Sequence, residues 1–284
     1  MFQCRMIGRL LAAPMLFLAS AGACAQVFYT IESPDGSVDW LLGTLHSEDP
    51  RVLEFPPVLE QALAQAEVVA LELVPGPAML ERLDEAMRLP DGVVLADRLP
   101  PSLYQRTLDA LLAHGVDREL AVRMRPWAAA MTLGQPPMET GRFMDLAVAS
   151  TASAAGARVV GLERLDEQLR FFSGLDRQTH VRLLEIALAE LDRGADAFEP
   201  LIDAYLDGDL ARLARLAEAQ LAGLPEAERQ RFRREALARR NQRMAARARP
   251  LLEASDTLIA IGSLHLPGVI ALLEARGFTV TPVY

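Results

Sequence analysis

A four-residue phrase occurs twice in this chain, as Gly43-Thr44-Leu45-His46 and again as Gly262-Ser263-Leu264-His265. Each copy follows an apolar run that reads as a buried strand, Val38–Leu42 in the first case and Thr257–Ile261 in the second. Each also precedes a helix-like segment and then a further strand-like run. A fold that accommodates both copies has two βαβ-like halves, one from each end of the chain. If the two strands are parallel neighbours, both imidazoles converge at one sheet edge.

The rest of the chain fits that frame. Val68–Leu73 and Arg158–Leu162 are two more apolar runs with the look of buried parallel strands, and Phe278–Val283 is a fifth run that closes the chain. Between the first two strands, Pro56–Ala66 carries Val58, Leu59, Ala62, Leu63 and Ala66 at helical spacing. Between the last two, Val269–Ala275 reads as a helix stopped by Gly277. The centre, about residues 78–252, holds the helical patterns Leu103–Leu112, Met124–Leu133, Phe143–Ala154, Thr179–Leu191 and Leu210–Leu221. No linker sets this region apart. The expectation is an α/β fold, a single domain over residues 26–284: a mixed, largely parallel sheet built from both chain ends, with a large helical middle region.

Residues 1–25 read as a secretory signal peptide, because Arg5 and Arg9 precede an apolar stretch, Leu10–Leu18, and Ala23-Cys24-Ala25 supplies a cleavage site. Export to a periplasm or to the medium follows. A lipid anchor at Cys24 fits less well, since Ala21 stands where that signal has a large aliphatic residue. Cleavage after Ala25 removes both cysteines and with them any disulfide or thiolate chemistry. The net charge of −9 argues against a nucleic-acid partner, and no later run is apolar and long enough to span a membrane. Every basic residue apart from histidine is arginine, a sign of genomic base composition.

In open α/β sheets ligands collect beyond the carboxyl ends of parallel strands. His46 and His265 lie just past two such ends, Glu72 lies near the end of a third, and Glu163 follows a fourth. Two imidazoles and a carboxylate suit zinc or another divalent metal, and the second carboxylate could be a base or hold an imidazole. The plainer readings are a structural ion pair for Glu72, a helix cap for Glu163, and structural roles for His114 and His180. Arg240 and Asn241 could point inward toward anionic substrate groups, although a solvated helix face accounts for the arginine run from Arg229 to Arg249. Arg125 and Trp127 could line a substrate pocket, or could mark a helix start with a buried Trp.

These residues resemble the TraB/GumN group, to which the Tiki proteins belong. The resemblance runs through Trp40–His46, Leu71-Glu72-Leu73, Arg125-Pro126-Trp127, Asp145, Gly161-Leu162-Glu163, Glu167-Gln168, Arg240-Asn241, Met244 and Gly262–His265. It implies a fold related to haem-binding ChaN-like proteins and erythromycin-esterase-like hydrolases. It also implies a metal-dependent protease centre at His46, His265 and Glu72; the expected cofactor is a divalent metal, zinc, manganese or cobalt, whose identity the sequence does not assign. The expected activity is hydrolysis of a peptide or another amide or ester, with Arg240 or Asn241 stabilising the oxyanion and a peptide or small molecule as partner. The alternatives are a cell-envelope protein that binds haem, iron or a peptide without turnover, and an esterase-like enzyme that uses a histidine without metal. No residue pattern assigns a substrate or an oligomeric state.

Overall fold

Six strands form one sheet in the computed structural model, which describes residues 26–194, 198–254 and 256–284. Residues 1–25, the segment read as a signal peptide, and with them Cys24, lie outside the described residues. The strands are β1 (Phe28–Glu32), β2 (Val38–Thr44), β3 (Val68–Leu71), β4 (Arg158–Gly161), β5 (Thr257–Gly262) and β6 (Thr279–Pro282), in the spatial order β4-β3-β5-β2-β1-β6. β4, β3, β5 and β2 run parallel, while β1 pairs antiparallel with both β2 and β6. A strand from the chain's end is thus inserted between two from its beginning. The mixed, largely parallel sheet expected from the sequence is present.

The interior strands are apolar on both faces because both faces are covered. Leu42, Val69, Leu71, Leu258 and Ala260 lie in one core with Met144, Val148 and Tyr205, from the helices Met144–Ala154 and Glu199–Leu206. Leu41, Ala70, Ile259 and Ile261 lie in a second core with Met244, Ala245, Leu266 and Leu273, from Arg239–Leu252 and Leu266–Glu274. A third core lies among the central helices and joins Leu111, Trp127, Leu133 and Leu184. Among the described residues no helix is long and apolar enough to cross a membrane.

Three features differ from the sequence reading. β1 has no counterpart in it, and its antiparallel pairing covers the side of β2 away from β5. β4 lies at the edge and is only partly buried, which the apolar run Val159-Val160 conceals. The helix expected over Met124–Leu133 begins only at Pro126, and a separate helix, Arg118–Arg123, ends just before the pattern. Pro126 disfavours the helical conformation at the residue before it, and Arg125 is extended at φ −68°, ψ 145°.

Asp39 interrupts the apolar pattern of β2 and is 1% exposed. One carboxylate oxygen accepts the Thr257 N–H at 2.7 Å, and the other has no partner among the described residues. Burial pushes its carboxyl up to about 6. The unfolded chain releases this proton near pH 4, so the folded state loses stability as pH rises from about 4 to about 6 and holds level above, a penalty of about 3 kcal/mol when complete. Asp39→Asn retains an acceptor for Thr257. Urea denaturation should show it more stable than wild type at pH 7 by up to about 3 kcal/mol, with the difference shrinking toward pH 4.

Candidate functional site

The four parallel strands deliver their polar ends side by side. Along the carboxyl edge, β4, β3, β5 and β2 present in turn Glu163, Glu72, His265 and His46. The two repeated motifs interlock there, since β2 and β5 are hydrogen-bonded neighbours with Thr44 opposite Gly262. Ser263 Oγ donates to the Thr44 carbonyl at 2.7 Å. A Cβ on Gly43 would lie 2.4 Å from Leu266 Cδ1, so the first motif's glycine makes room for the residue after the second motif. The Gly262 N–H donates to Glu72 Oε1 at 2.8 Å.

A network of paired charges closes this edge on the β4–β3 side. Glu163, whose side chain is fully buried, accepts from Arg240 Nε at 2.8 Å, Arg243 Nε at 2.9 Å and Gln168 Nε2 at 3.0 Å. Glu72 Oε2 accepts from Arg240 Nη2 and from Gln168 Nε2 at 3.1 Å. Arg247 forks onto Glu167 at 2.7 and 2.8 Å and donates to the Leu162 carbonyl. Burial opposes the charge on Arg240, but the two carboxylates outweigh it and hold its pKa above the ordinary value. The hydrogen bonds from Arg247 bring Glu167 down to about 2.

Arg240, Arg243 and Arg247 share one face of the helix because three- and four-residue steps align. The solvated-face reading of the arginine run therefore fails for these three. It describes Arg229, Arg233, Arg234, Arg239 and Arg249, which pair with nearby surface glutamates.

The two histidines have different surroundings. His265 is 4% exposed, with Nδ1 2.6 Å from Asn241 Oδ1 and Nε2 3.7 Å from Glu72 Oε1. Burial lowers its pKa despite the nearby Glu72 carboxylate. His46 is half-exposed, packs on the Phe143 ring at a centroid distance of 4.2 Å, and has Nδ1 3.9 Å from Asp145 Oδ2. Asp145 is itself held by Thr44 Oγ1 at 2.9 Å. Asp145 and Asn241 belong to helices on opposite faces of the sheet, so the motifs place neighbouring histidines in separate polar pairs.

Glu72, Glu163, Arg240, Asn241 and His265 are brought together, with His46 on the adjacent strand end. Asn241 gives its amide oxygen to His265 and lays its amide nitrogen against Gly268, so both ends of the side chain are committed to neighbours within the fold. Trp127 lies in the helical core, 3% exposed, with its ring 6.3 Å from that of Phe172. Arg125 precedes that helix and its amide donates to the Met87 carbonyl, so the helix-start reading describes both residues better than a pocket wall. His114 and His180 bond to the carbonyls of Gln135 and Phe172. The residues that sequence reasoning left out of the site are Gln168, Arg243 and Asp145. For Arg243 the signal was present in its three-residue step from Arg240.

Donor chemistry tests the fit of a divalent cation. A proton on Nδ1, directed at Asn241 Oδ1, would leave His265 Nε2 with a free lone pair on the side of Glu72, which suits a metal ligand. Glu72 already accepts three hydrogen bonds, however, and among the described residues no group of three or more His, Cys, Asp or Glu is gathered as a cation would need. The pair fits as two donors of a set, with His46 one strand away.

Glu163 is the test of the charge network. Glu163→Gln leaves Arg243 without its carboxylate and Arg240 with Glu72 alone, which should cost about 3 kcal/mol in urea denaturation. Arg239→Gln, on the exposed face of the same helix, should change stability little.

Comparison with known proteins adds an independent line. The chain is 24% identical over 297 aligned residues to the zebrafish (Danio rerio) protein named Metalloprotease TIKI2, covering 85% of this chain and 57% of that protein. It is 27% identical over 296 residues to Metalloprotease TIKI1 of the same fish, covering 85% and 60%. It therefore spans less than two thirds of the length of these relatives. No solved structure matches it significantly. The sequence profile that does match extends over residues 27–282, nearly all of the described chain, and by that match the protein belongs to the TraB/PrgY/gumN family.

Proposed function

We propose that this protein is an exported hydrolase of amide or ester bonds, acting in the periplasm or outside the cell on a peptide or small molecule. The observation that carries the reading is the pairing of His265 Nε2 with Glu72 Oε1, 3.7 Å apart at the carboxyl edge of a parallel sheet. The similarity to proteins named as metalloproteases supports a cation in that centre. His265, Glu72 and His46 would hold it, and a divalent ion there would polarise the scissile carbonyl and acidify a water.

The chain's own residues set the conditions for that chemistry. Glu72 is aimed by Arg240, Gln168 and the Gly262 amide, so its free lone pair keeps a fixed direction. Glu163 is saturated by two guanidiniums and one amide, and its part is to anchor Arg240 rather than to move a proton. His46, half-exposed and backed by Phe143, is the member of the set that incoming substrate meets. That exposure also favours a second reading, a binding protein in which His46 ligates haem or iron without turnover.

Elemental analysis of the purified protein should find a divalent transition metal in wild type and little in the His46→Ala/His265→Ala double variant. Glu72→Gln should lower kcat/KM on peptide or ester substrates by on the order of 100-fold or more. Absence of metal together with unchanged activity in both variants overturns the metal-hydrolase reading. A Soret band on haem addition that vanishes in His46→Ala, without hydrolysis, establishes the binding protein.

A further inference from the structure

Asn241 and Gly268 are two residues that the charge network does not use, and they meet beside His265. Asn241 is 8% exposed and follows Arg240 on the helix, where its amide oxygen approaches His265 Nδ1 to 2.6 Å. Gly268 stands three residues after His265, within the helix Leu266–Glu274. A Cβ built on Gly268 would fall 2.0 Å from Asn241 Nδ2 and 3.0 Å from its Cγ, closer than any real contact. The glycine is therefore the opening through which the Asn241 amide reaches the imidazole.

We propose that Asn241 is a positioning residue that fixes His265 in the tautomer protonated at Nδ1, leaving Nε2 unprotonated toward Glu72, and that Gly268 is glycine so that Asn241 can take that place. A neutral imidazole carries one proton, and the ring nitrogen that has a good acceptor holds it. At 2.6 Å the Asn241 oxygen is such an acceptor for Nδ1, whereas Glu72 Oε1, at 3.7 Å from Nε2, is beyond hydrogen-bond distance. Glu72 Oε1 is turned instead to the Gly262 amide. The outcome is an imidazole whose lone pair is presented at the sheet edge, ready to accept a proton or bind a cation. The catalytic meaning of this arrangement rests on the hydrolase reading; the hydrogen bond itself does not.

The test is a long-range 1H–15N correlation spectrum of the histidine-labelled protein at a pH where His265 is neutral, with His265→Gln to assign its signals. Wild type should show a protonated-type Nδ1 and an unprotonated-type Nε2. Asn241→Leu should move the proton to Nε2, where Glu72 remains as the facing acceptor, and Gly268→Ala should do the same by displacing the Asn241 amide. A wild-type His265 that carries its proton on Nε2 overturns the proposal, whether or not the Asn241 and Gly268 variants fold. So does an Nδ1-protonated ring that survives both substitutions in folded protein. The spectrum is taken without substrate or metal, so a failed search for hydrolysis does not change what it reports about the tautomer. Where a substrate is found, Asn241→Leu should lower kcat by roughly tenfold or more with KM little changed, the size expected for loss of a partner that orients a working histidine.

Discussion

Arg240 holds the centre together. Its guanidinium bridges Glu72 and Glu163, carboxylates from the ends of adjacent strands that would repel each other at this separation without it. Buried charge is tolerable only when it is fully paired and hydrogen-bonded. Here Arg243 and Gln168 complete Glu163, while Gln168 and the Gly262 amide complete Glu72. The consequence reaches beyond the pair. With Arg240 seated, the helix Arg239–Leu252 is pinned across the carboxyl edge, and the very next residue, Asn241, is carried to His265. Successive positions on one helix thereby orient the carboxylate and the imidazole that face each other.

The repeated motif has a different mechanical role in each copy. After β5 the chain turns directly into a short helical turn, Ser263–His265, and His265 is drawn under the cover of the helix Arg239–Leu252. After β2 the chain leaves as a loop, and His46 stays near solvent with Phe143 and Asp145 behind it. The hydrogen bond from Ser263 to the Thr44 carbonyl and the packing of Leu266 over Gly43 tie the two turns to each other. A movement of the His46 loop would strain the turn that holds His265. One fixed, shielded histidine beside one accessible histidine is a reasonable division between holding a reactive centre and admitting a ligand to it.

Much of this was legible in the sequence because the parallel strands are short apolar runs bounded by polar residues. Val38–Leu42, Val68–Leu73 and Thr257–Ile261 announced interior strands, and the polar residue after each marked the edge where ligands collect. β1 was not legible: Phe28-Tyr29-Thr30-Ile31-Glu32 mixes polar and apolar residues, as a strand between β2 and a partly exposed β6 can. Trp127 shows the opposite failure, a conspicuous residue type whose place is decided by the helical core rather than by the site. The inward arginines are hidden in a run of similar residues. Composition marks the whole run as surface, and only the three- and four-residue steps from Arg240 to Arg243 and Arg247 distinguish the face turned to the sheet edge. The separate partners of the two histidines depend on how distant helices pack on the two faces of the sheet, Asp145 lying 99 positions beyond His46, and no local pattern carries that information.

The identity of residue 241 follows from the same charge balance. The sheet edge gathers Glu72, Glu163 and Glu167 against Arg240, Arg243 and Arg247, three charges of each sign. An aspartate at 241 would also accept from His265 Nδ1, but it would add a fourth carboxylate with no guanidinium left to answer it, at a site 8% exposed. It would also favour a charged imidazole and so remove the lone pair at Nε2. An aliphatic residue would leave Nδ1 buried without an acceptor. Asparagine is the side chain that orients the ring without altering the charge count. The neutral partner is therefore part of the same design as the arginine beside it: Arg240 aims Glu72, and Asn241 sets which nitrogen of His265 carries the proton.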